Sequence, residues 1–550
     1  MSRDDADGRS EMSGFVPNSF STHPVNLSMK IVKQLLQAAL CFAIVCAVSV
    51  RAATFDLETA TIADINKALD AGGLTSEKLV GLYLARIDAY NKKGPQVNAV
   101  ITMNTHALEE AKALDAERKA KGPRSPLHGI PVVLKDLIDV AGMPTTAGFK
   151  PFGAPIPPRD ATVTANLKAA GAIIIAKVAT INWFGKGFDE THPIGASLNP
   201  YGLKYSPGGS SNGVGVSMAS YFATVGIGTD TGGSVMNPSA WCSLVGMVAT
   251  QGLVSRSGIV PRSVTQDRAG PMGRHVSDIA TLLTVMAGWD AEDVMTQKGM
   301  GHFPEGDWGK ALGEPSLKGK RIGVLREMVH AGPQHEEGIA LFNRALDDMR
   351  KAGAFIVDPV LTGFDLKTLT TAAAGRTAEY EKLYVQNAYL ARLGSAAPYK
   401  TVQEMIEKVG RDKFDKLMIE ALALPPPAKS ADYAARVRTK NMVHDLINEI
   451  VTKYQLDALV LPFNTVPPPL LEGEGNSVGS SHSLVSNSQL PGIIMPTGYT
   501  KDGLPIALQF TGKDFDDLNL LKIAAGYEIA SMRRKTPATT PPLPGEKFDY

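Results

Sequence analysis

Gly208-Gly209-Ser210-Ser211-Asn212-Gly213-Val214-Gly215, followed by Gly226-Ile227-Gly228-Thr229-Asp230-Thr231-Gly232-Gly233-Ser234, is the stretch on which the reading of this chain turns. Eight of the 26 residues from Gly208 to Gly233 are glycine. Such density lets backbone N–H groups come close to a ligand and point at it. A phosphate loop does not fit: Gly228 and Gly233 have the spacing, but Ser234 stands where a lysine is required, and no G-x-G-x-x-G occurs. Gly209-Ser210-Ser211-Asn212-Gly213 matches G-x-S-x-G with Ser211 as nucleophile, yet that elbow must follow an apolar strand, and Tyr201 to Pro207 is loop chemistry. A third candidate is a serine hydrolase with a lysine base. A serine hydroxyl is a poor nucleophile until a neighbour takes its proton, and a lysine can do so only when neutral. Lys135 closes the apolar run Ile130-Pro131-Val132-Val133-Leu134, where burial would penalise the ammonium. The plainer alternative is that Lys135 and Asp136 form a solvated pair at a strand end and the glycines only make tight turns.

Outward from this stretch, short apolar runs alternate with helical patterns. Runs at Ile130 to Leu134, Ala172 to Ala176, Arg321 to Leu325, Phe355 to Val357, Ala458 to Leu461, Ile493 to Met495 and Pro505 to Phe510 are predicted strands. Helices are predicted after Thr61, with Asp64 completing the cap, and after Thr75; over Asn104 to Lys119; and over Thr162 to Ala170, capped by Asp160 and ended by Gly171. Alternation of this kind predicts an α/β fold, a mixed buried sheet flanked by helices. Residues from about Leu366 to Val451 are almost wholly helical in pattern, broken at Pro425-Pro426-Pro427, and are expected to be an insertion beside the sheet that helps shape a pocket. Lys535 to Pro544 reads as an extended tail.

The N-terminus reads as an export signal. From Met29 the chain carries Lys30 and Lys33, then 16 residues of mainly apolar character from Leu35 to Val50, then Arg51-Ala52-Ala53, ending in small residues. Cleavage after Ala52 is expected, giving an N-terminal extension and signal over 1–52 and one large domain over 53–550. The protein is thus expected in the periplasm or secreted. The run is shorter than the roughly 20 residues a membrane span needs, so membrane attachment is expected only through an uncleaved signal. Either Met1 or Met29 is the start. With 56 Lys+Arg against 55 Asp+Glu, no nucleic-acid partner is expected. Two of the three cysteines, Cys41 and Cys46, lie in the signal; Cys242 reads as a buried filler, and no Cys/His cluster has the spacing of a metal site.

Taken together, three segments resemble the amidase signature family of serine hydrolases: Gly129 to Asp136 its lysine segment, Gly208 to Ser211 its first serine segment, and Gly228 to Ser234 its nucleophile segment. The likeness continues through Gln266-Asp267-Arg268-Ala269-Gly270-Pro271-Met272, Leu456 to Leu459 and Asp502 to Gln509, and covers nearly everything after Phe55. It implies that Ser234 is the acyl-accepting nucleophile, that Ser210, following a cis peptide bond, relays its proton to Lys135, and that the N–H groups of Thr231, Gly232, Gly233 and Ser234 form the oxyanion hole. A glycine-rich turn suits that last role, since it aims several unobstructed donors at one point.

The implied chemistry is hydrolysis of a small-molecule amide through a seryl acyl-enzyme, without metal or organic cofactor. An esterase or carbamate hydrolase is the runner-up. The amide-hydrolysing component of a glutamine amidotransferase shares the pattern, but the export signal argues against it. A catalytically silent binding protein is the rival from another class, encouraged by Met236, where the family carries Arg, and by Met247 to Ala249. The insertion and the prolines suggest a roomy apolar pocket for aryl, acyl or peptide amides, and near-zero net charge suits a neutral substrate. His128 is read as structural. The oligomeric state is left open, a homodimer among the options.

Overall fold

Eleven strands join in one mixed sheet in a computed structural model of the chain, which describes residues 53–373, 377–471 and 483–550. The signal read in 29–52 lies outside the described residues. In chain order the strands are β1 (Thr54–Asp56), β2 (Val100–Met103), β3 (Pro131–Lys135), β4 (Ile173–Val178), β5 (Val225–Asp230), β6 (Val245–Val248), β7 (Arg268–Gly273), β8 (Arg321–Val324), β9 (Phe355–Val357), β10 (Ala458–Pro462), β11 (Gly492–Tyr499), β12 (Pro505–Thr511) and β13 (Lys547–Asp549). The sheet order is β2-β4-β3-β5-β7-β6-β11-β12-β10-β8-β9, and β1 pairs with β13 apart from it. β3 runs parallel to β4 and β5, and β8 parallel to β9 and β10, while the middle of the sheet is antiparallel. All seven strands expected from apolar runs are present, within a few residues of their expected ends.

β5 is different, because its sequence Val-Gly-Ile-Gly-Thr-Asp gives no run to recognise. Its alternate glycines are sheet-packing residues. A Cβ on Gly226 would stand 2.8 Å from Val214 Cγ1 and 2.9 Å from Val133 Cγ2, and one on Gly228 would stand 2.8 Å from Ser211 Oγ. Helix Asn212–Ala219 therefore lies directly on this strand, and every residue in it is buried. The glycines that looked like ligand-facing backbone thus divide into two kinds, those that bring this helix onto β5 and those of the loop beyond it.

The early helices start where their caps predict. Thr61 and Asp64 form a reciprocal capping box before Ile62–Asp70, and Thr75 caps Ser76–Tyr90. One cap is corrected. Ala161, not Asp160, occupies the N-cap of Thr162–Ala169, because the Asp160 carboxylate is taken by the Ala141 N–H at 2.7 Å and by Lys168 at 2.8 Å.

The insertion comprises helices Leu366–Ala373, Thr377–Leu393, Val402–Val409, Lys416–Ala421 and Ala431–Lys453. Val443, Ile447, Ile450 and Val451 of the last join Leu459 and Leu461 of β10 in a second apolar core. The segment after Lys535 is irregular as expected but firmly held, since the Thr540 and Pro541 carbonyls accept from Arg86 and Tyr90 OH also donates to Pro541.

Candidate active site

Lys135 ends β3 in the interior of the sheet, between β4 and β5, and is fully buried. Its Nζ lies 2.6 Å from Ser210 Oγ and 2.8 Å from Thr229 Oγ1. Burial holds the amine well below the usual lysine range; Arg262 pushes it the same way, and Asp230 and Asp267 oppose it. The solvated Lys135–Asp136 pair is ruled out. Asp136 is also fully buried, accepts from the Thr146 N–H at 3.0 Å and from its hydroxyl, and pairs with Lys177 at 3.0 Å. The two side chains therefore have separate partners, Lys135 with Ser210 and Thr229, and Asp136 with Thr146 and Lys177.

Ser210 follows a cis Gly209–Ser210 peptide bond. Ser211 is not available as a nucleophile: its hydroxyl both donates to the Thr229 carbonyl and accepts from the Thr229 N–H at 3.2 Å, which pins it to β5. Cys242 is buried, and burial raises its thiol far above the usual range, so it is inert. His128 holds its loop, with Nδ1 accepting from Arg124 N–H at 3.2 Å and Nε2 at 2.9 Å from the Leu114 carbonyl.

Ser234 stands just before helix Met236–Trp241, and its carbonyl accepts from the Ser211 N–H at 3.3 Å. The structure brings Lys135 and Ser210 into contact, whereas the Ser234 hydroxyl makes no hydrogen bond to the described residues. The loop before it is shaped by Asp230. One carboxylate oxygen accepts from the Gly233 N–H at 2.9 Å and from Ser486 Oγ at 2.8 Å, the other from the Val235 N–H at 2.9 Å. Of the four donors named from the resemblance, the Gly233 N–H is therefore engaged. Those of Thr231, Gly232 and Ser234 meet no acceptor among the described residues. A Cβ on Gly232 would point into open space, so a ligand can reach the backbone there.

Several residues here were not singled out from sequence. Thr229 sits inside the quoted motif, and its hydroxyl is the second contact of the lysine. Asp267 accepts from Thr231 Oγ1 at 2.6 Å, and Gln266 Nε2 donates to the Thr231 carbonyl at 3.0 Å. The buried Trp183 puts its ring centroid 5.4 Å from Lys135 Nζ. Met236 is fully buried in the core, and the buried guanidinium of this region belongs to Arg268, which donates to the carbonyls of Ala249, Val485 and Leu490.

Glu381 links the insertion to this loop. Its carboxylate accepts from Ser263 Oγ, the Val264 N–H at 2.8 Å, Thr265 Oγ1 at 3.0 Å and Tyr433 OH at 2.7 Å. Ser263 to Thr265 precede the Gln266 and Asp267 that hold Thr231. Glu381→Ala is expected to lower kcat by about 10²-fold with a smaller change in KM, because displacements of about 1 Å near reacting groups cost that much. Glu381→Gln, which keeps an acceptor, should recover part of the loss. Steady-state kinetics of both variants check this.

These features combine an α/β fold, a buried lysine–serine contact and, on the loop after β5, backbone N–H groups that no described residue engages. The chain belongs to the amidase family, whose model matches residues 78–521, and it is an amide-bond hydrolase. It is 31% identical to a probable amidase of Arabidopsis thaliana, over 92% of this chain and 96% of that protein. It is 33% identical to one component of the glutamyl-tRNA(Gln) amidotransferase of Myxococcus xanthus, over 85% of this chain and 96% of that one. Among solved structures, the native peptide amidase of Stenotrophomonas maltophilia superposes with a TM-score of 0.78 at 33% identity, covering 88% of this chain and 99% of that one.

Proposed function

We propose that this protein hydrolyses its amide substrate through a seryl acyl-enzyme, with Ser234 as nucleophile, Ser210 as proton relay and Lys135 as base. The observation that carries this reading is the 2.6 Å contact between a fully buried lysine and Ser210. Burial favours the neutral amine, which donates an N–H to Thr229 and, at its contact with Ser210, has a lone pair to take that hydroxyl's proton. Ser234 attacks the carbonyl as its proton passes through Ser210 to Lys135. The returning proton leaves with the amine, and water then releases the acid from Ser234. The N–H groups of Thr231, Gly232 and Ser234 stabilise the oxyanion, while Asp230 uses the Gly233 N–H to hold the loop in shape. No step needs a metal or cofactor.

The similarity to a peptide amidase supports peptide amides among the substrates expected from sequence, and the signal-like residues 29–52 support export. A fluorophosphonate that reacts with activated serines tests the catalytic reading. Peptide mapping is expected to find the adduct on Ser234 alone, and labelling should disappear in Lys135→Met. Folded protein that takes up no label at Ser234 would instead be a silent binding protein.

A further inference from the structure

We propose that Arg262 is a specificity-determining residue that docks a carboxylate carried by the substrate. This rests on the catalytic reading above for where the scissile amide lies. Arg262 lies in the segment between β6 and β7, with its guanidinium over the Trp183 ring at 4.7 Å from the centroid. The same indole flanks Lys135 Nζ at 5.4 Å. The backbone of Arg262 is fixed, because Asp267 accepts its N–H at 2.7 Å and the Ser263 N–H at 2.8 Å while also accepting from Thr231 Oγ1 at 2.6 Å. One carboxylate thus ties Arg262 to the loop with the open N–H groups.

The guanidinium itself has no hydrogen bond or ion pair among the described residues, and its Nε is buried without an acceptor. Other buried or half-buried guanidinium groups have partners. Arg86 pairs with Glu546, Arg256 with Asp293 and Arg392 with Asp139, and Arg268 reaches three carbonyls. The carboxylates near Arg262 are already committed, Asp267 and Glu381 to the contacts above and Glu379 to Lys382. The Arg262 side chain is half-buried, so its charge is partly desolvated without a partner, and the group is suited to an acceptor that arrives with the ligand. A guanidinium stacked on an aromatic face keeps its planar N–H edges free, and these match a carboxylate in two parallel bonds. One unpaired positive charge favours a monoanion over a phosphate, since Lys382 is neutralised by Glu379. Arg262 also adds to the fields that lower the Lys135 and Lys382 amines, which places it electrostatically beside the base.

The carboxylate belongs to either the acyl or the amine half of the amide, and calorimetric titration of the Ser234→Ala protein distinguishes them. In the first arm, the monoamides succinamate and adipamate are compared with their methyl esters. In the second, N-benzoylglycine is compared with its methyl ester. The carboxylate should bind about 10- to 100-fold more tightly than the ester in one arm, the range for a charge-assisted pair. Arg262→Gln on the same background should abolish the difference, and Arg262→Lys should retain part of it. Equal or tighter binding of the esters in both arms overturns the proposal, as does a preference that survives Arg262→Gln or a loss that falls equally on acid and ester. Amide turnover by the Ser234→Ala protein would instead overturn the catalytic reading, and it is measured separately from binding.

Discussion

Lys135→Met is expected to lower kcat/KM for amide hydrolysis by about 10⁴-fold while leaving a folded protein, and Ser234→Ala should do the same. Met matches the length of lysine without a proton acceptor, so Ser210 keeps its place but has nowhere to send a proton. The members act as a unit, so the double variant should lose little beyond either single one. Stability adds a readout that activity does not move. The Lys135 amine is held well below its ordinary value by burial, so in the alkaline range the unfolded chain binds a proton that the native protein does not. Native stability then rises with pH across that window. Above the unfolded value Lys135 imposes no penalty; as pH falls towards the native value the penalty accumulates. Urea unfolding of wild type and Lys135→Met should therefore diverge in favour of the variant as pH falls from about 10 to about 8, just below the ordinary lysine value. Parallel curves would mean that the native lysine keeps its proton, and the relay would lose its base.

How much of this was legible in sequence depended on whether a residue's role was local. Caps, apolar runs and the buried lysine are local signals: Thr61 and Thr75 begin their helices, and the run before Lys135 is the strand that buries it. β5 was not legible, because Gly226 and Gly228 are required by side chains from β3, β7 and the helix at 212–219, none of which is near them in sequence. The Asp160 cap failed for the same reason, since Lys168 and the Ala141 N–H compete for its carboxylate. Within the site, the spacing of Lys135, Ser210 and Ser234 was visible, but the engagement of the Gly233 N–H by Asp230 depends on how the turn closes. Arg262 escaped notice because a net charge of +1 averages over 56 basic and 55 acidic side chains and says nothing about which one lacks a partner. A near-neutral chain is therefore no argument for a neutral substrate.

Arg86→Met is expected to destabilise the protein by about 3–5 kcal/mol, the typical cost of leaving one member of a buried ion pair alone. Arg86 and Glu546 meet at 2.7 Å with side-chain exposures of 0% and 3%. Arg86 Nε also donates to the Ser220 carbonyl at 2.9 Å and Nη2 to the Thr540 carbonyl at 2.7 Å. Ser220 caps the helix that follows Ser211, so this guanidinium joins helix Ser76–Tyr90, the helix beneath the active-site loop and the C-terminal segment. Removing it strands the Glu546 carboxylate, which among the described residues otherwise accepts only from the Leu543 N–H at 3.0 Å. In Arg86→Met/Glu546→Leu the orphaned charge is gone, so part of the loss should return, but not all, because the Ser220 and Thr540 carbonyls still lack their donor. Urea midpoints of the two variants separate these contributions. The β1–β13 pair is only three residues long and is held beside this ion pair, so the C-terminal segment should be the first part of Arg86→Met to open. Trypsin should then cut at Lys535 and Lys547 in the variant at concentrations that leave the wild type intact, and equal resistance of the two would show that the segment is held by its apolar contacts instead.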